Sequence, residues 1–314
     1  MFSTEQPKYR SEMPTPLIMP TPTAGAFENA KRKPAARKFV CHFAPVRRVN
    51  AIENIEMLEG STRPVLMRAD DGHLYVVKFS TNPFGPRIAV NEYMAARLAR
   101  GLGLSTPETA IVRVPDGLAA PTGLHFGSRL HKSRGNVYVY EWLPAAVWGL
   151  VKNPGDLIGA YVFDAWTGNA DCRQVIFVRK AGLTPYQLLL IDNGHCFGGK
   201  SWRLHGLAVQ CPRKLSFAYA TVGDWSDLEP WLSRIENLDP AEVGAAAEGM
   251  PEEWLAGNER VALMRLLREL AERRLDVRAN IAALLNRGDH PFSCWRFRSS
   301  LFLVPPCRAL GKTA

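Results

Sequence analysis

The chain has 314 residues, 46% of them apolar and 22% charged, with six cysteines and a formal net charge of +9. This is globular composition with enough chain for a sizeable core, and no run approaches the roughly 20 apolar residues of a membrane span. The charge sits at the ends, +6 over residues 1–48 and +4 over 287–314, leaving −1 for 49–286, so the central region offers no electrostatic argument for nucleic acid.

In chain order, residues 13–25 (MPTPLIMPTPTAG) are Pro/Thr-rich and 29–38 (NAKRKPAARK) are basic, so 1–37 is expected to be a disordered arm. The cluster PLIMP is too short and too proline-broken for a signal peptide. Residues 63–79 (RPVLMRADDGHLYVVKF) read as a hairpin around Asp70-Asp71-Gly72, with Lys78 on an otherwise apolar strand face. Residues 86–104 form a helix from Pro86 to about Gly101, with Glu92 at the border of its apolar arc. Residues 136–144 (NVYVYEWLP) read as a buried strand running into a turn. Residues 156–168 (DLIGAYVFDAWTG) form an apolar helix stopped by Gly168, and QVIFVR and YQLLLI are two further strands. Residues 225–286 are helical, most clearly from Asn258, a plausible N-cap, towards Gly288. Strands followed by helices imply an α+β chain with two lobes. The expected divisions are an arm (1–37), a β-rich N-terminal nucleotide-binding lobe (38–143), a mainly helical catalytic lobe (144–287) and a basic tail (288–314). Trp225, Trp231 and Trp254 are expected to pack the helical lobe.

Four residues have the chemistry of phosphoryl transfer in a sensible order. Such a reaction needs a cation on the phosphates, a carboxylate to hold that cation, a carboxylate near the attacking hydroxyl and oxygen ligands for a metal. Lys78 and Glu92 could be the first two. Asp171 follows a Gly-Asn turn after a helix, and Asp192 closes an apolar run ahead of Asn-Gly. Each has a plain alternative: an edge lysine, a solvated helix glutamate, two turn-forming aspartates.

Through YVVKF, VNEYMAARLARGLGLSTPE, FDAWTGNADCRQ and LLLIDNGHCFGG, the chain resembles the HipA-like kinases, relatives of phosphatidylinositol 4-kinases with a protein-kinase-like fold, over about Gly60 to Arg287. The resemblance implies that Lys78 holds the α/β-phosphates of ATP and pairs with Glu92, that Asp171 is the catalytic base and that Asp192 binds Mg2+. It places Gly60, Ser61 and Thr62 in a phosphate-facing loop and Glu141, Trp142 and Leu143 beside adenine. The family's second-metal asparagine, five residues after the base, is here Ile176; Gln174 or Asn169 could replace it. The family's histidine two residues after the base is here Arg173.

The function expected is ATP-dependent transfer of the γ-phosphate to a hydroxyl, foremost a protein Ser/Thr. A nucleotide-binding pseudokinase regulating a partner is the alternative that the missing asparagine keeps open. Nucleotide and a protein substrate are the expected partners, and nucleic acid is not. The cysteines show no Cys-x-x-Cys pair or metal spacing, and a cytoplasmic location with free thiols is expected. Cys172 and Cys196 flank the aspartates, as a redox pair or, the plainer reading, as small buried side chains. His195 is read as a structural hydrogen-bonding residue rather than a ligand.

Overall fold

Alternation along the first strands decides which side of each strand is buried. The computed structural model describes residues 39–130, 136–204, 209–288 and 290–295. The expected arm, Cys307 and residues 296–314 of the expected tail lie outside them. Five strands, β1 (Arg47–Met57), β2 (Val65–Ala69), β3 (Leu74–Lys78), β4 (Thr109–Val114) and β5 (Gly123–Leu130), close into a barrel in the order β1-β2-β3-β5-β4. Only β1 and β4 pair parallel; the other neighbours are antiparallel. The interior is packed with Val49, Ala51, Val65, Met67, Tyr75, Val77, Ala110 and Val112. It is tight: a Cβ on Gly127 would lie 2.5 Å from Val112 Cγ2. Because Tyr75 and Val77 point into the barrel, Lys78 points out of it.

Outside the barrel lies α1 (Arg87–Gly101), buried from Ile88 to Ala96. Glu92 is therefore not at a border, as expected, but inside, at 2% exposure. The second sheet has the order β6 (Val137–Tyr140), β7 (Gln174–Lys180), β8 (Gln187–Ile191). The expectation of a buried strand at 136–144 fails: β6 lies at the sheet edge, and Tyr138 and Val139 are exposed. The chain then turns through Glu141–Leu143 into α2 (Gly155–Thr167), which ends where Gly168 adopts a left-handed φ of 63°.

The remainder is helical: α3 (Trp231–Glu236), α4 (Pro240–Ala245), α5 (Glu259–Arg273) and α6 (Val277–Arg287). The long helix expected after Asn258 is broken at Arg274–Asp276. Arg274 donates to the carbonyls of Leu238 and Ala271, and Arg273 to those of Ala165 and Trp166, which pins this turn onto its neighbours. Trp254 does more than pack helices. Its indole N–H donates to Leu124 O of β5 at 2.7 Å, while Tyr93 of α1 donates to Glu248 O at 2.5 Å. Arg48 Nη2 donates to Gly249 O, and Leu124 N to Glu253 Oε1, each at 3.1 Å. Residues 248–254 thus strap the helical part to the barrel and α1. No helix among the described residues is long and apolar enough to cross a membrane.

Candidate active site

Strand alternation sends Lys78 towards α1, and α1 presents Glu92 to it. The Lys78 ammonium donates to Glu92 Oε1 and, at 2.7 Å, to Asp192 Oδ1. Three separate segments thus meet at one cation. Burial alone would depress the ammonium, but Glu92 and Asp192 outweigh it and hold Lys78 above the ordinary lysine value. Burial acts on Asp192 in the raising direction, and Lys78 more than offsets it, so this carboxyl titrates below its usual range. Glu92 also accepts from the backbone N–H of Asn193 (3.1 Å) and Gly194 (3.0 Å), which locks the turn after β8 onto α1. Asp192 sits at a left-handed φ of 54°, turning its carboxylate out of line with β8. Position 194 has no room for a side chain: a Cβ there would lie 2.8 Å from Ile88 Cγ2 and 3.2 Å from Glu92 Oε1.

The loop after α2 carries the second aspartate. Asp171 is half-buried; its N–H donates to Asn169 Oδ1 (3.2 Å), and its Oδ1 accepts from Cys172 N (2.7 Å). Gln174 begins β7, and its Nε2 donates to Asp192 Oδ2 at 2.9 Å. Gln174 therefore meets Asp192 directly, whereas Asn169, 3% exposed, is engaged inside its own loop. By alternation, Ile176 and Val178 share Gln174's face of the sheet, opposite Leu189 and Gln187 of β8.

Arg173, noted in the sequence only as standing where the resemblance implies a histidine, makes a buried ion pair that sequence reasoning did not foresee. Its guanidinium is 2% exposed and pairs through Nε (3.0 Å) and Nη2 with both oxygens of Asp164 on α2. Nη1 donates to Asn193 Oδ1 (2.8 Å) and Ile191 O (3.2 Å). One side chain therefore joins α2, the Asp171 loop and the Asp192 turn. Backbone bonds reinforce it, from Ala170 N to His195 O (2.9 Å) and from Gly198 N to Gly168 O (2.8 Å). The available signal was Asp164, a charge inside an otherwise apolar helix. Asn91 was passed over as well: buried on α1, it donates to the carbonyls of Gly194 and Gly199 and accepts from Trp202 Nε1.

Residues 51–279 match the family model described as HipA-like kinase. The chain belongs to the HipA-like kinases. This HipA-like kinase is therefore a phosphotransferase with a two-lobed kinase fold. It is similar to the crystal structure of CtkA, a proinflammatory kinase of Helicobacter pylori, at 15% identity and a TM-score of 0.52, over 77% of this chain and 99% of CtkA. The Golgi casein kinase with Mn/ADP bound matches at 12% identity and a TM-score of 0.41, over 76% of this chain and 73% of that one. No curated protein matches the chain.

The remaining expected positions of this HipA-like kinase lie in turns. Gly60, Ser61 and Thr62 are in the β1–β2 turn, closed by Arg63 N donating to Gly60 O (3.0 Å). The pairing of Val65 with Val77 puts that turn at the Lys78 end of β3. Glu141 and Trp142 are exposed and Leu143 is buried in the turn between β6 and the helical part. Cys196 is fully buried beside Arg173, and burial pushes its thiol up to about 12, which fits the plainer reading of a small core residue. His195 contributes its carbonyl to Ala170 N and Gly199 N.

Proposed function

We propose that this HipA-like kinase is an active enzyme that transfers the γ-phosphate of ATP, with Mg2+, to a Ser or Thr hydroxyl of a protein. The observation that carries the reading is Lys78 held between Glu92 and Asp192, with the Asp171 loop tied to the Asp192 turn. In this reading Lys78 holds the α/β-phosphates and Glu92 keeps its ammonium in place. Asp171 accepts the proton of the attacking hydroxyl. Glu141, Trp142 and Leu143 offer backbone groups to adenine above the apolar face of Ile176 and Leu189, and Gly60, Ser61 and Thr62 cover the phosphates. Residues 38–143 act as the nucleotide lobe and 144–287 as the catalytic lobe, flanked by the arm and tail.

The donor set suits a hard cation. Asp192 supplies carboxylate oxygen, and Gln174 lies against it with an amide that offers oxygen when rotated. Among the described residues no group of three or more His, Cys, Asp or Glu converges. Such a site suits Mg2+, which keeps waters and leans on phosphate oxygens, and would suit a metal needing a full protein cage poorly. When bound, the ion neutralises charge on the phosphates. Gln174 takes the role of the absent asparagine, and Asn169 serves its loop. The free thiols of Cys41, Cys172, Cys196, Cys211 and Cys294 favour a cytoplasmic location.

Transfer from labelled ATP in the presence of Mg2+ or Mn2+ is the test. Asp171→Asn is expected to leave ATP binding nearly unchanged while lowering turnover by roughly 10²–10⁴, the scale of general acid–base catalysis. Asp192→Asn weakens metal-dependent ATP binding, and Gln174→Ala raises the metal concentration needed for activity. ATP binding without turnover under either metal would replace this reading with the pseudokinase one, which the isoleucine at 176 would then explain.

A further inference from the structure

The stretch that leaves the Asp192 turn has an unusual charge balance. From Asn193 to Gly223 there is no aspartate or glutamate, while Lys200, Arg203, Arg213 and Lys214 are all cationic types. Lys200, Arg203 and Lys214 are exposed, and no carboxylate among the described residues pairs with any of the three. Elsewhere in the helical part the exposed Arg260 pairs with Glu252 and the half-buried Arg278 with Glu229 and Glu236, while Arg265 and Arg268 are exposed with no paired carboxylate among the described residues; what sets 193–223 apart is that it holds no acidic residue at all.

Backbone bonds fix where this stretch lies. Gly198 N donates to Gly168 O at 2.8 Å, and a Cβ on Gly198 would run into Arg203 O, so Arg203's backbone packs on the residue that touches the start of the Asp171 loop. Further on, Arg173 N donates to Gln210 O at 2.9 Å, and Cys172 bridges Gln210 in parallel. Lys200 and Arg203 therefore follow one attachment to the Asp171 loop, and Lys214 follows the second. The nucleotide's phosphates already have Lys78.

We propose that Lys200, Arg203 and Lys214 form a recognition strip for an acidic peptide segment, selecting acceptors whose Ser or Thr is flanked by aspartate or glutamate. This rests on the kinase reading above and names its substrate class. An acidic peptide fits better than a single phosphate group because the three cations belong to two separately anchored pieces of chain rather than to one converging nest. Rim charges of this kind set encounter rate and partner choice, and they act within about one Debye length, roughly 8 Å at physiological salt.

The test uses the full chain and fluorescent peptides with a central serine flanked by glutamate, glutamine or lysine, read by anisotropy at low and high salt. The glutamate peptide is expected to bind best and to weaken with salt. In the triple variant K200E/R203E/K214E its affinity should fall about tenfold or more, with the neutral K200Q/R203Q/K214Q in between, as charge complementarity requires. ATP affinity should be unchanged in both variants. Equal binding of glutamate and lysine peptides would overturn the proposal. So would undiminished binding in the triple variant, which would assign the attraction to the basic residues of 1–48 and 287–314 instead. Binding of phosphatidylserine vesicles with no peptide binding would assign the strip to a membrane surface and overturn it as well. Failure of the parent protein to bind ATP would sink the kinase reading, while the peptide comparison would still be readable by itself.

Discussion

Lys78 illustrates how one side chain can be both buried and charged. At 9% exposure its ammonium is acceptable only because two carboxylates meet it. Lys78→Met would leave Glu92 and Asp192 facing each other without a cation. Breaking a buried pair from one side costs about 3–5 kcal/mol, so loss of stability should accompany loss of transfer in that variant. Adding Asp192→Asn removes one of the two stranded charges. The double variant should therefore be more stable than Lys78→Met in denaturant unfolding, a non-additivity expected only if the three groups act as a unit. The pH dependence has a definite sign. Asp192 is held low, so its contribution is present above the ordinary carboxylate value of 3.8 and disappears as pH falls through its depressed value. Lys78 is held high, so its contribution is present below the ordinary 10.5 and disappears as pH rises through its elevated value. The difference in unfolding free energy between the parent and Asp192→Asn should be flat across about pH 5–9 and shrink in acid. A difference that grows towards low pH would show that the pair is not the source.

At the level of elements, the Asp171 loop and the Asp192 turn are held in common by Arg173. Arg173→Ala would strand Asp164, whose side chain is 1% exposed, at a cost of about 3–5 kcal/mol. Thermal unfolding should show that loss, and Asp164→Ala in the same chain should return part of it. Full additivity of the two changes would mean that the pair does not couple these elements. Much of this layout was legible in the sequence. Period-two and period-three-to-four patterns located β2, β3, α1, α2, β7 and β8. The turn chemistry around Asp171 and Asp192, with Lys78 on an apolar face, singled out three residues, of which the fold joins Lys78 and Asp192 directly. What escaped was tertiary. The Arg173–Asp164 pair joins a loop to a helix and has no local pattern. Closure of the barrel depends on β1 meeting β4, some sixty residues on, in parallel. The exposure of β6 follows from its place at a sheet edge, which its apolar composition does not reveal. Counting five residues from Asp171 leads to Ile176, but of the two substitutes named from the sequence it is Gln174, the first residue of β7, that reaches Asp192.

Across the whole molecule, the barrel and α1 are joined to the helical part by the chain at Glu141–Leu143, by the strap at 248–254 and by the bonds of Lys78, Asn91 and Glu92 to the stretch from Asp192 to Gly199. The strap's hydrogen bonds are individually ordinary. Trp254→Phe removes the one to Leu124 O while keeping an aromatic ring in the core, and should cost about 1 kcal/mol in unfolding free energy. Its effect on the reaction should differ in kind. With the strap in place, the two parts cannot swing about the covalent link alone; any separation of them must also work against Trp254, Tyr93, Arg48 and Glu253. On the proposed reading, spent nucleotide has to leave a protein whose halves resist separation. On that reading, release of ADP is the expected slow event of each cycle: mixing enzyme with ATP and acceptor should give a rapid first turnover followed by a slower steady rate, and loosening the strap should quicken the second phase without touching the first.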